Sequence, residues 1–568
     1  MTAMPEILKT AVHHQRSGQH ADAVESYRQL LQADPSRAEV YVNIGTALKA
    51  QSQFREAAAN FKQAIYLKPE FVAAYYNLAN TLKEQRRYAE AIENYARAIK
   101  LKPDFAAAYY NLANTLRIVE RLEDAIENYR QAVRFKPDYA IAYNNLAMTL
   151  KDIGRGAEAI DNYRQAVRLK PDYPEAHNNL GIALKEKGHL DEAIESYAQA
   201  VRLRPDYAEA HSNMGIVLHT QGEHDKALEC LERAIRLDPD YAQAHWNRSL
   251  VLLSKGRFTE GWEEYQWRRK TGLIASAYSH TYEKPRWDGT PFAGKRLLVH
   301  YEQGLGDSLQ FVRYLPMVKR LGGTVIFETL EPLHGLLRDF DGIDELVEAS
   351  AERKPDVEFD AYTSLMDLPG LFGTTIETIP AEVPYIYPDP AKTEYWRGRL
   401  SGADFKVGLV WGGRSMRPNE VLSLQHRSFG LKNFVPLANV AGVELFGLQK
   451  GPAAAQVDEL PERIVACNLG GEFGDFTDTA GAIENLDLVI SVDTSVAHLA
   501  GAMGKPVWVL LKFDADWRWL LDREDSPWYP TMRLFRQKRW GDWNSVFRDV
   551  AKELQDLVSR RQLHQEIY

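Results

Sequence analysis

Pro69-Glu70-Phe71-Val72-Ala73-Ala74-Tyr75-Tyr76-Asn77-Leu78-Ala79-Asn80-Thr81-Leu82 returns 34 residues later as Pro103-Asp104-Phe105-Ala106-Ala107-Ala108-Tyr109-Tyr110-Asn111-Leu112-Ala113-Asn114-Thr115-Leu116. Working outward, proline recurs at Pro35, Pro69, Pro103, Pro137, Pro171, Pro205 and Pro239, every interval being 34. Six residues beyond each stands a ring: Tyr41, Tyr75, Tyr109 and Tyr143, then His177, His211 and His245. Small residues keep the same register at Gly45, Ala79, Ala113, Ala147, Gly181, Gly215 and Ser249. A second small series runs from Ala23 to Ala227, and four residues beyond each lies Tyr27, Phe61, Tyr95, Tyr129, Tyr163, Tyr197 or Leu231. A fixed period of this length means stacked structural units. Small residues let paired helices approach, large rings fill the space between units, and proline stops the second helix because it lacks an N–H donor.

These residues and this period resemble the tetratricopeptide repeat over roughly residues 5–270. An α-solenoid of about eight units over 1–272 is expected. Leu273 stands where the next proline would fall, so the array ends there, with Trp262 and Trp267 available to bury its end. Asn43, Asn77, Asn111, Asn145, Asn179, Asn213 and Asn247 hold one register in the first helix of each unit. Asn is an indifferent helix former, so propensity does not explain them. On a concave inner surface, Asn111, Asn145, Asn179, Asn213 and Asn247 form an amide ladder that can donate to and accept from an extended peptide. The other reading is that each Asn bonds the adjacent helix. The ladder also resembles that of protein O-GlcNAc transferase, whose repeats guide protein substrates.

The remainder of the 568 residues changes character. After a connector at 273–294, short apolar runs alternate with helical segments, which predicts parallel sheets. Strands are expected at Arg296–Tyr301, Thr324–Phe327, Lys406–Gly413, Val443–Leu448, Ile464–Cys467, Leu486–Val492 and Val507–Leu511, with a closing helix from Trp543 to Arg560. A proline-spaced stretch from Ile379 to Pro390 divides an N-terminal Rossmann-like lobe (295–390) from a C-terminal one (391–568). Two doubly wound lobes facing a cleft constitute the α/β architecture called GT-B, with ligands at the carboxyl ends of the strands.

Two turns carry the chemistry. Asp493-Thr494-Ser495-Val496-Ala497-His498 ends a buried strand and opens a small-residue helix, whose free N–H groups suit a diphosphate. Glu302-Gln303-Gly304-Leu305-Gly306-Asp307 follows the first strand. The pattern Asp493-Thr494-Ser495, His498-Leu499, Ala502, Gly504 and Pro506 resembles the donor-site motif of ADP-heptose:lipopolysaccharide heptosyltransferases, and Gly304–Asp307 resembles their N-lobe motif. That resemblance implies an inverting glycosyltransferase with Asp307 as general base and Gln303 orienting the acceptor, Glu302 being the spare carboxylate. The alternative for Asp307 is a helix cap. Asp493, Thr494, Ser495 and His498 fall on the donor side. Arg427 in Gln425-His426-Arg427-Ser428 and Lys450 after a strand are candidate cations for the leaving phosphate. Trp411 is placed either to stack on a base or to cover the interlobe core.

No acidic DxD pair stands at a suitable strand end, so no metal or other cofactor is expected beyond the nucleotide-sugar donor. Charge is near balance at −9, from 69 basic and 78 acidic residues, which excludes a duplex nucleic-acid binder. Cys230 and Cys467 form no CxxC pair, the longest apolar run is too short to span a bilayer, and a cytoplasmic protein is expected. The expected function is sugar transfer to Ser or Thr of a polypeptide held by the repeats, with homodimerisation open. Two rivals stand: a repeat scaffold with a silent transferase-like half, and a transferase for a glycan or lipid-linked acceptor.

Overall fold

A computed structural model describes residues 3–272, 282–350, 355–400, 405–413, 429–459 and 464–567. The chain forms two compact units, Met1–Pro205 and Asp206–Tyr568. The first contains six helical pairs, from Ala3–Arg16 with His20–Ala33 to Pro174–Glu186 with Leu190–Leu203. The small-residue series behaves as its chemistry requires. A Cβ on Gly45 would lie 2.7 Å from the Phe61 ring and one on Gly181 would lie 2.6 Å from Tyr197, so paired helices touch through these glycines. The rings Tyr27, Phe61, Tyr95, Tyr129 and Tyr163 are all buried. Each second helix ends just before its proline; Phe54–Leu67, for example, is followed by Lys68 and Pro69.

The asparagine register has a structural partner in the preceding unit. Asn111 Nδ2 donates to Tyr76 Oη at 2.7 Å and to Asn80 Oδ1 at 3.2 Å. Asn145 Nδ2 repeats this on Tyr110 Oη and Asn114 Oδ1, both at 3.1 Å. Asn179 Nδ2 reaches Asn144 Oδ1 at 3.1 Å. The oxygens of Asn80 and Asn114 also accept from Tyr95 and Tyr129, each at 2.6 Å. In the next unit Met148 replaces that asparagine, and the buried Tyr163 hydroxyl has no partner among the described residues.

The second unit begins with two further helical pairs, Ala208–Thr220 with His224–Leu237 and Ala242–Ser254 with Phe258–Tyr265. These last repeats therefore join the α/β part, whereas the composition shift placed the boundary after 272. The reason lies in the core: Leu253, Phe258, Trp262 and Tyr265 pack in one cluster with Leu297, Val299, Phe311 and Trp517. Trp267 is instead stacked on His245, centroids 4.0 Å apart.

Two sheets follow, both parallel throughout. The first orders β3 (Glu345–Glu348), β2 (Thr324–Thr329), β1 (Arg296–His300) and β4 (Ala361–Ser364). The second has six strands in the order β10 (Met532–Arg536), β9 (Val507–Leu511), β8 (Leu488–Val492), β5 (Phe405–Val410), β6 (Val443–Gly447) and β7 (Cys467–Asn468). The closing helix runs longer than expected, Trp543–Ile567. The expected linker after Ile379 is held at both sides: Tyr385 N donates to Ala502 O at 2.9 Å and its hydroxyl to Leu309 O at 2.9 Å. Among the described residues no helix is long and apolar enough to cross a membrane.

Met148→Asn should return an acceptor to Tyr163 and a second one to Asn179. The expected gain is about 1 kcal/mol, the net value of one buried hydrogen bond, read from the urea midpoint of the full chain. An unchanged or lower midpoint would show that the asparagine relay contributes no stability.

Candidate active site

Strands β1, β8 and β9 deliver their carboxyl ends to one place, as open parallel sheets do at their ligand crevices. After β1 comes Glu302–Asp307, after β8 comes Asp493–Thr494, and after β9 comes Lys512–Asp516. The two motif turns meet here. Helix Leu305–Phe311 packs on helix Ser495–Ala502. At Gly306 an added Cβ would lie 2.9 Å from His498 Cδ2 and 3.5 Å from Ser495 Cα. Glycine is required at that point because any side chain would separate the two helices.

Asp307 does two things at once. Its Oδ2 accepts from Gly304 N at 2.7 Å, capping the helix, and its Oδ1 accepts from Arg518 Nη2. Arg518 is almost wholly buried and also donates to Gln310 Oε1 and Asp516 Oδ1, each at 2.7 Å. Burial opposes its positive charge, yet Asp516 and Asp307 outweigh burial and drive its pKa upward. The proposed base therefore shares its site with a fixed cation. Sequence reasoning missed Arg518, 211 positions from Asp307. The loop Asp514–Asp516 supplies Asp516, whose Oδ1 accepts from Arg518 N at 3.1 Å. Trp517, Trp519, Trp528 and Tyr529 are packed around it, with exposures of 0–4%.

His498 is buried, its Nδ1 lies 2.9 Å from Tyr529 Oη, and its ring is stacked on Trp519 at 5.4 Å. Its Nε2 lies 3.8 Å from Asp493 Oδ1. Burial lowers its pKa to about 4 against the pull of Asp493, so it is neutral near pH 7. Thr494 is the N-cap residue of Ser495–Ala502 in extended geometry, and its hydroxyl lies 2.9 Å from Ser491 Oγ rather than on the helix backbone. Helix N–H groups beside Ser495 thus lack a side-chain cap.

Several candidates sit elsewhere. Trp411 has no exposed surface and its indole donates to Ala453 O at 2.9 Å; a ring so enclosed cannot stack on a base, and it packs with Phe434 and Phe547 inside the C-terminal lobe rather than between the lobes. Lys450 is exposed, with Nζ on Phe473 O at 2.6 Å and Gly474 O at 3.1 Å, bracing a loop. Arg427 lies outside the described residues. Glu302 is not a spare base: Arg268 grips it through two bonds of 2.7 Å and Ser364 Oγ donates to it. Burial would raise the Glu302 pKa, but Arg268 overrides burial and lowers it. Gln303 has φ +69° and donates from Nε2 to Tyr265 Oη at 3.3 Å, which aims it toward the last repeat.

Of the ladder, Asn247 is only 5% exposed, donating to Ser212 Oγ and accepting from Gln243; no peptide reaches it. Asn145 uses both its nitrogen and its oxygen within the array. Asn111 and Asn179 keep an oxygen that accepts no hydrogen bond from the described residues. Asn213 is half-buried. The alternative of a strut to the adjacent helix therefore describes most of the ladder's donors. Among the described residues no group of three or more His, Cys, Asp or Glu is placed to hold a metal.

Fold and sequence define the class first: the N-terminal half is a tetratricopeptide-repeat array, and parallel α/β sheets follow it. Models described as "Tetratricopeptide repeat" match residues 8–48, 76–140 and 208–241, and one described as "TPR repeat" matches 45–86, 149–188 and 183–222. Protein FlbA of Caulobacter vibrioides is 30% identical over 329 residues, covering 53% of each chain. The chain thus spans about half the length of that curated relative. Among solved structures, YrrB, described as a TPR protein with an unusual peptide-binding site, is 29% identical, covers 33% of this chain and 96% of its own, with a TM-score of 0.31. MamA is 25% identical over 30% of this chain and 94% of its own, with a TM-score of 0.29.

A His498 that folds neutral contributes stability fully above its ordinary pKa of 6.5 and loses it as pH falls toward 4. Between pH 7 and pH 4, wild type should lose about 3 kcal/mol more than His498→Gln, measured by urea unfolding at each pH. Parallel losses in the two proteins would show the ring to be solvated.

Proposed function

We propose that this chain is an inverting glycosyltransferase of GT-B form acting on a polypeptide held by the repeats. The observation that carries the reading is the meeting of Gly304–Asp307 with Asp493–His498 across the two sheets, Gly306 lying directly on His498. The Asp307 carboxylate, the Arg518 cation it shares with Asp516, and the uncapped helix start beside Asp493 then meet in a single crevice. The diphosphate of a nucleotide sugar takes the N–H groups at Ser495, with Thr494 beside them. A Ser or Thr hydroxyl of the acceptor attacks the anomeric carbon as the bond to the β-phosphate oxygen breaks. The hydroxyl proton passes to Asp307, and the nucleoside diphosphate leaves carrying the bond electrons.

Arg518 gives this scheme an order of events. While it holds Asp307, the carboxylate is a poor base. A diphosphate beside Asp493 competes for the same guanidinium and releases Asp307 when the donor is in place. The space at Asp493, Lys512 and Asp516 is about 10 Å³, room for about one water and far below the ~300 Å³ at which small-molecule pockets begin, so donor entry requires the sheets to part. That tightness is the observation favouring the scaffold reading, in which the repeats bind partners and no donor enters. The repeat array supports a protein partner under either reading, and Asn111 and Asn179 offer oxygens to its N–H groups.

Calorimetry of UDP, GDP, ADP, TDP and CMP against wild type and Thr494→Val separates the two. Saturable binding of one nucleotide, weakened in the variant, supports the transferase; no binding by any leaves the scaffold. With the donor identified, Asp307→Asn should retain nucleotide binding and reduce transfer by about 10²–10⁴-fold, the usual worth of a general base. Undiminished turnover would remove Asp307 from the mechanism.

A further inference from the structure

A second cleft, of about 500 Å³, opens within the Asp206–Tyr568 unit between helix Phe258–Tyr265 and the segments Arg286–Asp288 and Asp367–Gly373. Its size lies within the range of small-molecule sites. One side is apolar: Trp262, Trp287 and Leu371 line it, and both indole N–H groups are already bonded inward, to Thr374 O at 2.9 Å and Thr290 O at 2.8 Å. The floor is charged. Asp367, 4% exposed, accepts from Arg268 and Arg269 at 2.7 Å and from Arg286 at 3.2 Å.

The charges on this floor do not cancel. Arg268 is fully buried and grips Glu302 with two bonds of 2.7 Å. Within this hydrogen-bonded cluster three guanidiniums face two carboxylates, Glu302 and Asp367, leaving the cluster one positive charge in excess; Glu263 and Asp288, exposed in the lining, form no ion pair with it among the described residues. That excess lies with Arg269 and Arg286, whose side chains are 31% and 39% exposed and whose only carboxylate contact among the described residues is Asp367. Burial lowers the Arg269 pKa, Asp367 opposes this, and Arg286 and Arg268 add to the lowering: its charge is incompletely compensated. An arriving anion relieves that strain with charge-assisted bonds.

We infer that this cleft binds a carboxylate carried on an apolar body, the carboxylate seated on Arg269 and Arg286 and the body against Trp262, Trp287 and Leu371. A monoanion fits the single surplus charge. A phosphate dianion fits worse, because Asp367 lies in the floor and Glu263 and Asp288 stand exposed in the cleft lining. The carboxylate has two sources of the same chemistry, a free aryl or alkyl acid and an acidic side chain beside an apolar residue of a polypeptide. Occupancy would bear on the first motif turn, since Arg268 joins the floor to Glu302, next to Gln303. The inference stands without the transferase reading, because Asp307, Arg518 and Asp493–His498 take no part in it.

The test is calorimetric titration of the full chain with 3-phenylpropionate, with its neutral amide, and with two capped peptides, Ala-Phe-Glu-Ala and Ala-Phe-Gln-Ala. Two variants are used: Arg286→Gln, which removes one seat, and Thr259→Trp, which crowds the exposed side of the cleft without touching the ion cluster. The acid or the Glu peptide should bind about tenfold more tightly than its neutral counterpart, with the preference lost in both variants. Binding by the Glu peptide assigns the site to a polypeptide, and binding by the free acid alone assigns it to a small acid. Equal binding of acid and amide, full binding by Thr259→Trp, or no saturable binding of any of the four would overturn the inference. Should Arg286→Gln prove unfolded by near-ultraviolet circular dichroism, Thr259→Trp decides alone.

Discussion

The guanidinium of Arg268 has no exposed surface, and the second compact unit is organised around it. A charge so enclosed is tolerable only where carboxylates surround it, and removal of one partner would leave a buried ion uncompensated. Arg268 comes from the turn after the last repeat, Glu302 from the end of β1, and Asp367 from the turn after β4. Three segments far apart in sequence thus have one arrangement in which the buried guanidinium meets its carboxylate partners. That constraint positions the last helical pair on the first sheet, and Trp262, Tyr265 and Trp517 close over it in edge-on contacts. Repeat and sheet consequently share one core rather than meeting at a hinge.

The first motif turn inherits its place from this anchor. Glu302 is fixed, so Gln303 adopts its left-handed backbone and Gly304 begins the helix that brings Gly306 against His498. The contact is between backbone and ring, with no room for a side chain. Arg518 completes it from the far side by joining Asp516 to Asp307. The crevice is therefore defined by two kinds of closeness, steric at Gly306 and electrostatic at Asp307.

Much of this architecture is legible in the amino-acid sequence. The repeats were, because each unit restates the same spacing and one helical period explains ring, small residue and proline together. Strands with long apolar runs were also legible, Val507–Leu511 to the residue. Three strands were not: β3 is bracketed by Glu345 and Glu348, β4 is the short Ala361–Ser364, and β10 is interrupted by Arg533 and ends at Arg536. Edge or short strands carry weak hydrophobic signals because they bury less. Both chemical turns were visible as motifs, but their partners were not. Arg518 lies amid tryptophans that suggest packing alone, and a tryptophan at a strand end looks the same whether it faces a cleft or, like Trp411, the core. The asparagine ladder is legible as a pattern, but not the division of its amides, whose nitrogens bond the preceding unit at Asn111, Asn145 and Asn179; periodicity alone does not say which amide atom meets a neighbour.

The asparagine relay also says something about how such arrays change length. Donor and acceptor stand 35 positions apart for Asn111 with Tyr76 and for Asn145 with Tyr110, one unit plus one residue. Excising or duplicating a whole unit presents each donor with an equivalent acceptor and disturbs no other joint. A one-residue insertion turns every later amide away from its mate. Array length is accordingly free to drift in whole units, while phase within a unit is held; genetic duplication is a tolerated route to a longer groove, and slippage within a unit is not.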